Sequence, residues 1–434
     1  MVITTTGFTT IARAVAKAEG MADLRIGEYP GAVGVHAEDL VVKNVETVLF
    51  DRIVDHLTKP RYGGSGVAPA VVRSASEIVY EGSFEDVNEY FRQQGWTDEL
   101  PIIPPTPERV ERMLAYCDRD FDQPVVKIPP RFGAATPIRL AANAVMAGCK
   151  PEYFPLVLLA IEAMAEEQYN LYGTQATTHP CTPMLIFNGP IAKEVGINSG
   201  NNAMGNYFRA NAVIGRAVRL ALVNIGAAIP GTGDMATAGT PAKFTFCVAE
   251  NEDNSPWDPL HVELGFPREA STVTVIAAEG PHNVNDHEST TPEGILTMIA
   301  GTMPNTGSNN AYYEGQPVMA FGPEHAATVA SGGMSKAAVK QWLWEHATIP
   351  MSKFSKESIE RRFRRKLADQ YGSASLDAPV HMWAKPEDLI VIVTGGAGKH
   401  SQWVPTFGNT RAATRALKRE DGELVKSIHE LKRG

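Results

Sequence analysis

Four polar stretches and one helix face hold the residue types able to do chemistry in this chain. In QATTHPCTP (175–183), His179 and Cys181 lie two positions apart. Alternate side chains of an extended chain point to one side, so an imidazole and a thiol could meet there. A nearby base or positive charge lowers a thiol pKa and turns it into a nucleophile; the competing reading is a loop whose cysteine packs. In AENEDNSPWDPLHVELGF (249–266), Glu250, Asn251 and Glu252 follow the strand-like KFTFCV, with His261 and Glu263 after them. Carboxylates near histidines suit general acid–base work or metal ligation, and equally suit hydrogen-bonded scaffolding.

The third stretch, AAEGPHNVNDHES (277–289), holds His282, Asp286 and His287, a set that a divalent metal could use although a loop gives it no fixed geometry. The fourth, FGPEHAATVASGG (321–333), opens a helix with Pro323 and Glu324, a helix start that favours anions, and puts His325 in the first turn. On the helix around 208–225, Arg209, Arg216 and Arg219 cluster away from the apolar side. They could grip a substrate carboxylate bidentately; pairing with the acidic loop 250–253 is the favoured alternative.

Familiar signatures are missing. GGAGKHS after LIVIV resembles a phosphate loop, but Val393 stands where the first glycine belongs, and His400 where the hydroxyl residue belongs. There is no dinucleotide-binding glycine fingerprint after a strand, no nucleophile elbow, no C-x-x-C and no H-E-x-x-H.

The elements that must position these groups alternate in type. Residues 1–60 read strand, helix, strand (LRIGEYP), helix (about 36–57), the pattern of a parallel α/β layer of thioredoxin- or flavodoxin-like kind. Residues 61–82 read as a Gly- and Pro-rich linker. Residues 83–434 read as the main α/β domain, with a division into two subdomains near 285–315 as an option. Ser83, Thr106 and Thr136 are expected helix caps, Pro107 and Pro137 expected first helical residues, and Gly148 an expected helix end. Cys117 falls on an apolar stripe with Val110, Met113 and Leu114, a core position.

Composition bounds the function. The chain has 434 residues, 44% hydrophobic and 21% charged, with net charge −9. That charge argues against a nucleic-acid partner. The basic run 361–366 lies on a helix whose buried face is Ile359, Phe363 and Leu367, and reads as a solvated surface. No stretch reaches the roughly 18 apolar residues of a membrane span. Four cysteines make no disulfide framework, and with no secretory signal the expected compartment is the cytoplasm.

WTDELPIIPPTPERVERML, PPRFGAATPIRLAANAVMAGCKPEYFPLVLLAIEAM, TTHPCTPMLIFNGPIAKEVGINSG, RANAVIGRAVRLALVNIGAAIPG, KFTFCVAENEDNSPWDPLHVELGF and FGPEHAATVASGGMSKAAV together resemble the UGSC family of (seleno)proteins. The resemblance spans nearly the whole chain. It implies thiol or selenol chemistry centred on a [U/C]-G-S-C motif, followed by a helix and a strand that VITTTGF resembles. None of the four cysteines stands in a C-G-S-C context. The expectation is a large subunit of a hetero-oligomeric enzyme, with the reactive thiols on a small subunit that pairs with residues 1–60. It would act on a small organic molecule by reduction or nucleophilic cleavage. In that scheme His179, Cys181, His282 and His287 are the acid–base or nucleophilic candidates. Arg209, Arg216, Asn251, Asn310 and His325 would bind substrate. Two other readings stand beside it: a metal-dependent lyase or hydratase with a divalent ion on His179, His282 and His287, and a non-catalytic scaffold subunit.

Overall fold

Seven consecutive buried residues, TPMLIFN, make the central strand of this protein, and both of its faces are apolar. A strand so composed must be covered on both sides, and that requirement organises the fold. The structure is a computed structural model that describes residues 1–18, 20–59 and 78–433. The expected linker 61–82 therefore lies mostly outside the described residues.

The strands in chain order are β1 Val2–Thr5, β2 Ile26–Tyr29, β3 Val126–Ile128, β4 Gly133–Ala135, β5 Thr182–Asn188, β6 Cys247–Ala249, β7 Thr272–Ala278, β8 His282–Asn285, β9 Val318–Phe321, β10 Thr348–Pro350, β11 Pro379–His381, β12 Ile390–Val393, β13 His400–Val404 and β14 Ala413–Ala416. Two four-stranded sheets dominate, ordered β14-β7-β5-β6 and β12-β9-β13-β8. In each, one pair is parallel (β5 with β6, β9 with β12) and the other pairings are antiparallel. The fold is mixed α/β.

Period-two alternation distributes each strand between two cores. Met184 and Ile186 of β5 join Val248, Ile276, Val318, Ala320, Ile390, Ile392 and Val404 in an apolar layer between the sheets. Leu185 and Phe187 point the other way, into a core with the helices Pro137–Ala147, Phe154–Met164 and Arg209–Asn224. On the far side Met319, Phe321, Val391 and Val393 pack with the helices Pro292–Thr302, Pro323–Ser331 and Lys336–His346. The result is helix, sheet, sheet, helix. The chain passes from the first sheet to the second between Ala278 and His282, and returns for β14 at Ala413.

Helix boundaries follow their caps. Ser83 closes a capping box with Asp86 at the start of Phe84–Gln93. Thr136 accepts from Arg139 N, and Gly148 ends that helix at φ 91, a backbone state that favours glycine. Thr106 precedes Pro107–Leu114 with no side-chain cap. Cys117 is buried in the core.

Residues 1–59 form a separate arrangement. β1 and β2 pair in parallel, Val2 opposite Ile26 and Thr5 opposite Tyr29, with the helix Thr9–Ala18 between them. Ile11, Ala16, Ile26, Tyr29 and Leu49 are buried, whereas Val2, Ile3, Val42, Phe50, Val54 and Leu57 are exposed.

Candidate functional site

Register puts the first candidate together. β5 runs antiparallel to β7 with Thr182 opposite Ala278. The loop entering β5 therefore meets the loop leaving β7, and His179 Nε2 lies 2.8 Å from Glu279 Oε1 across a separation of 100 residues. The imidazole stacks on Phe407, with ring centres 5.2 Å apart. Phe407 is itself fixed, because its N–H donates to Ala277 O at 2.8 Å. The side chains of His179 and Glu279 keep 11% and 26% of their exposure, so the pair is part-buried with Glu279 the more open member. His179 Nδ1 is buried without a hydrogen-bond partner among the described residues. Tyr169 Oη and Gln175 Nε2, in the stretch before the loop, are also buried and unpartnered. Such atoms cost about 1–3 kcal/mol each when nothing satisfies them.

A carboxylate holding one ring nitrogen sets the imidazole's tautomer and orientation and stabilises its protonated form. The pair therefore fits acid–base work. It sits at the start of β5, at the opposite end of the sheet from the carboxyl end of β5 and β6.

Cys181 does not pair with His179. Its Sγ donates to Thr174 O at 3.7 Å, while His179 turns to Glu279. All four cysteines are buried and free. Burial raises the pKa of every one, that of Cys181 to about 12. At neutral pH these thiols stay protonated, which corrects the expectation of a nucleophilic Cys181.

The arginines are occupied as well. Arg209 donates twice to Gly148 O, capping the end of the Pro137–Ala147 helix. Arg216 forms a fork on Asp98 with both contacts at 2.8 Å and reaches Pro101 O. Arg219 bonds Asp234 at 2.7 Å, and Lys243 joins the same carboxylate. The expected pairing with loop 250–253 is not formed. There, Glu252 accepts from Asn188 and Gly189, and Asp253 pairs with Lys193.

Three other expected substrate ligands serve the scaffold. Asn251 ties the ends of the two sheets: its N–H donates to Val393 O and its amide to Gly395 O. Asn310 donates to Glu314 O and Thr406 Oγ1 and accepts from Thr406 N. His325 is buried between Ser401 Oγ and Asp286 O. His282 is exposed at the edge of β8, and His287 faces His400. Among the described residues no group of three His, Cys, Asp or Glu could hold a metal ion. The set His179, His282 and His287 does not assemble, because His179 is committed to Glu279.

Sequence reasoning passed over Glu279, Asp234 and Lys243. Glu279 stands at the head of a quoted stretch, yet only the β5–β7 register reveals its partner. Burial raises the pKa of Asp234, but the Lys243 hydrogen bond and the charges of Lys243 and Arg219 outweigh it, and the net value falls below the usual carboxylate range. A small cleft with room for about one water molecule lies beside this group, lined by Thr182, Arg219, Lys243 and Thr245 among others.

No protein-family model, no curated protein and no solved structure matches this chain. Among the described residues no helix is long and apolar enough to cross a membrane.

Proposed function

We propose that this chain is the large subunit of a thiol- or selenol-dependent enzyme acting on a small organic molecule, with the reactive thiol supplied by a second chain. One observation carries the reading. Every thiol of this chain is buried and held protonated, while a part-buried His179–Glu279 pair supplies an acid–base couple. The resemblance to the UGSC family supports the thiol theme. In a nucleophilic step, His179 takes the proton from the incoming thiol at Nε2, on the part-exposed Glu279 side, because Nδ1 is buried. The sulfur–carbon bond forms as the leaving-group bond breaks, and His179 returns the proton to the leaving group. Glu279 stabilises the imidazolium in between.

Residues 1–59 are the docking unit in this scheme. Consecutive strand residues face opposite sides, so the exposure of both Val2 and Ile3 leaves the first half of β1 uncovered on both faces, while Thr4 and Thr5 are part-buried. Parallel strands are ordinarily covered on both faces. A chain bearing a Cys-Gly-Ser-Cys segment would pair there and cover them.

Co-expression with a polypeptide carrying such a segment tests the proposal. A stable complex with turnover that neither chain has alone is expected. Full turnover by the isolated 434-residue chain would end it. Turnover per complex that survives His179→Ala would make this chain a scaffold.

A further inference from the structure

A pair of imidazoles at the opposite end of the molecule has no part in this proposed chemistry. His287 follows β8 and His400 opens β13, and both are exposed. The antiparallel register sets His400 opposite Asn285. The two Nε2 atoms lie 3.3 Å apart, with ring planes at 77°. A tetrahedral ion with metal–nitrogen bonds of about 2.0–2.1 Å holds two ligand nitrogens about 3.3–3.4 Å apart. The two rings share a hydrogen bond in this structure, and its nitrogen–nitrogen spacing matches that of two ligands on one ion, which would replace the shared proton.

The surroundings orient the rings. His400 Nδ1 lies 3.1 Å from Asn283 Oδ1, and Gln402 Nε2 donates to the same oxygen at 3.4 Å. An Nδ1–H that donates to an amide oxygen leaves the Nε2 lone pair free for a metal, the usual arrangement behind a histidine ligand. Lys399 Nζ donates to His287 O at 2.9 Å and anchors the other loop. Glu324 is held by Gly398 N at 2.7 Å. Asp286, Glu288 and Glu324 on these segments outnumber Lys399, so the local charge favours a cation.

We infer that His287 and His400 form a two-imidazole site for a borderline divalent ion of the zinc, nickel or copper class. Imidazole nitrogen selects such ions over magnesium or calcium. The remaining coordination positions face solvent, open to water or to an oxygen or nitrogen ligand. The site differs from the three-histidine set considered from sequence: it draws on His400, which interrupts the phosphate-loop pattern, and leaves out His179 and His282.

Calorimetric titration of the untagged full chain with zinc, and with cobalt followed by visible absorption, tests the inference. One ion per chain is expected. His287→Ala or His400→Ala should weaken binding at least tenfold, and Asn283→Ala by about tenfold as an orienting residue. His282→Ala and His179→Ala should leave it unchanged. Circular dichroism establishes that each variant is folded. No binding by the parent chain, undiminished binding by the double variant, or equal loss in His282→Ala would overturn the assignment. None of these results depends on the enzyme reading, because the readout is binding alone.

Discussion

Strands β1 and β5 are both rich in apolar side chains and meet opposite fates. β5 has a neighbour on each side and a core on each face, so all seven residues are buried. Among the described residues β1 has a single neighbour, and Val2 and Ile3 stay 42% and 51% exposed. The contrast extends to the units around them. Within 356 residues the two-sheet body buries three apolar layers, leaving Ile78, Tyr207 and Phe244 among those exposed outside them, and its candidate chemistry lies in loops braced by those layers. The N-terminal unit carries Phe50 and Leu57 at 57% and 68% exposure. In the proposed scheme the body holds the site and the N-terminal unit is the surface that a partner covers.

Four experiments would break or sharpen that contrast. The largest effect belongs to the body's site: His179→Ala should lower turnover of the assembled enzyme by about 10²–10⁴-fold, with the far-ultraviolet circular dichroism unchanged. A loss below tenfold would remove His179 from the chemistry. Next, Phe187→Ala should cost about 3–5 kcal/mol of stability by urea denaturation, because Phe187 fills the helix-facing core. The same truncation at Phe50 should stay within about 0.5 kcal/mol in the isolated chain. If both cost the same, the contrast between the units is wrong.

A third, smaller effect separates stability from association. Ile3→Ser with Leu57→Ser should leave the melting temperature of the isolated chain nearly unchanged while weakening capture of the thiol-bearing partner at least tenfold. The smallest effect is a pH dependence. Asp234 titrates in the folded protein below its unfolded value of about 3.9. Its ionised form therefore contributes stability in full above that value, and the contribution is lost as pH falls through the folded pKa. Asp234→Asn should destabilise at pH 7, and its gap from the parent chain should narrow toward pH 3. A gap that widens in acid would contradict the pairing with Lys243 and Arg219.

Much of the fold was legible because local signals and tertiary demands agree. MLIFN, VTVIAA and IVIV are apolar on both faces and became fully buried strands, the first two inside their sheet and the third at an edge; Ser83, Thr136 and Gly148 mark helix ends by capping chemistry that acts within a few residues. The site was less legible. His179 stood out by its residue type, but its partner is 100 positions away and follows from strand register. Cys181 is chemically suggestive in QATTHPCTP, yet burial decides its protonation, and a single chain of letters does not reveal burial at that scale. Arg216, Asn251, Asn310 and His325 illustrate the same limit. Polar side chains that look available are the ones this scaffold uses to tie carbonyls and sheet ends together.

The proposed function requires a reactive sulfur or selenium that is not among the side chains of this chain. Mapping it directly requires the active complex. It would be treated with limiting iodoacetamide until turnover is lost, and the modified residue located by peptide mass spectrometry. The expected result is stoichiometric label on the partner, with Cys117, Cys149, Cys181 and Cys247 unmodified until denaturant is added. Loss of turnover that tracks label on any of those four cysteines would contradict it.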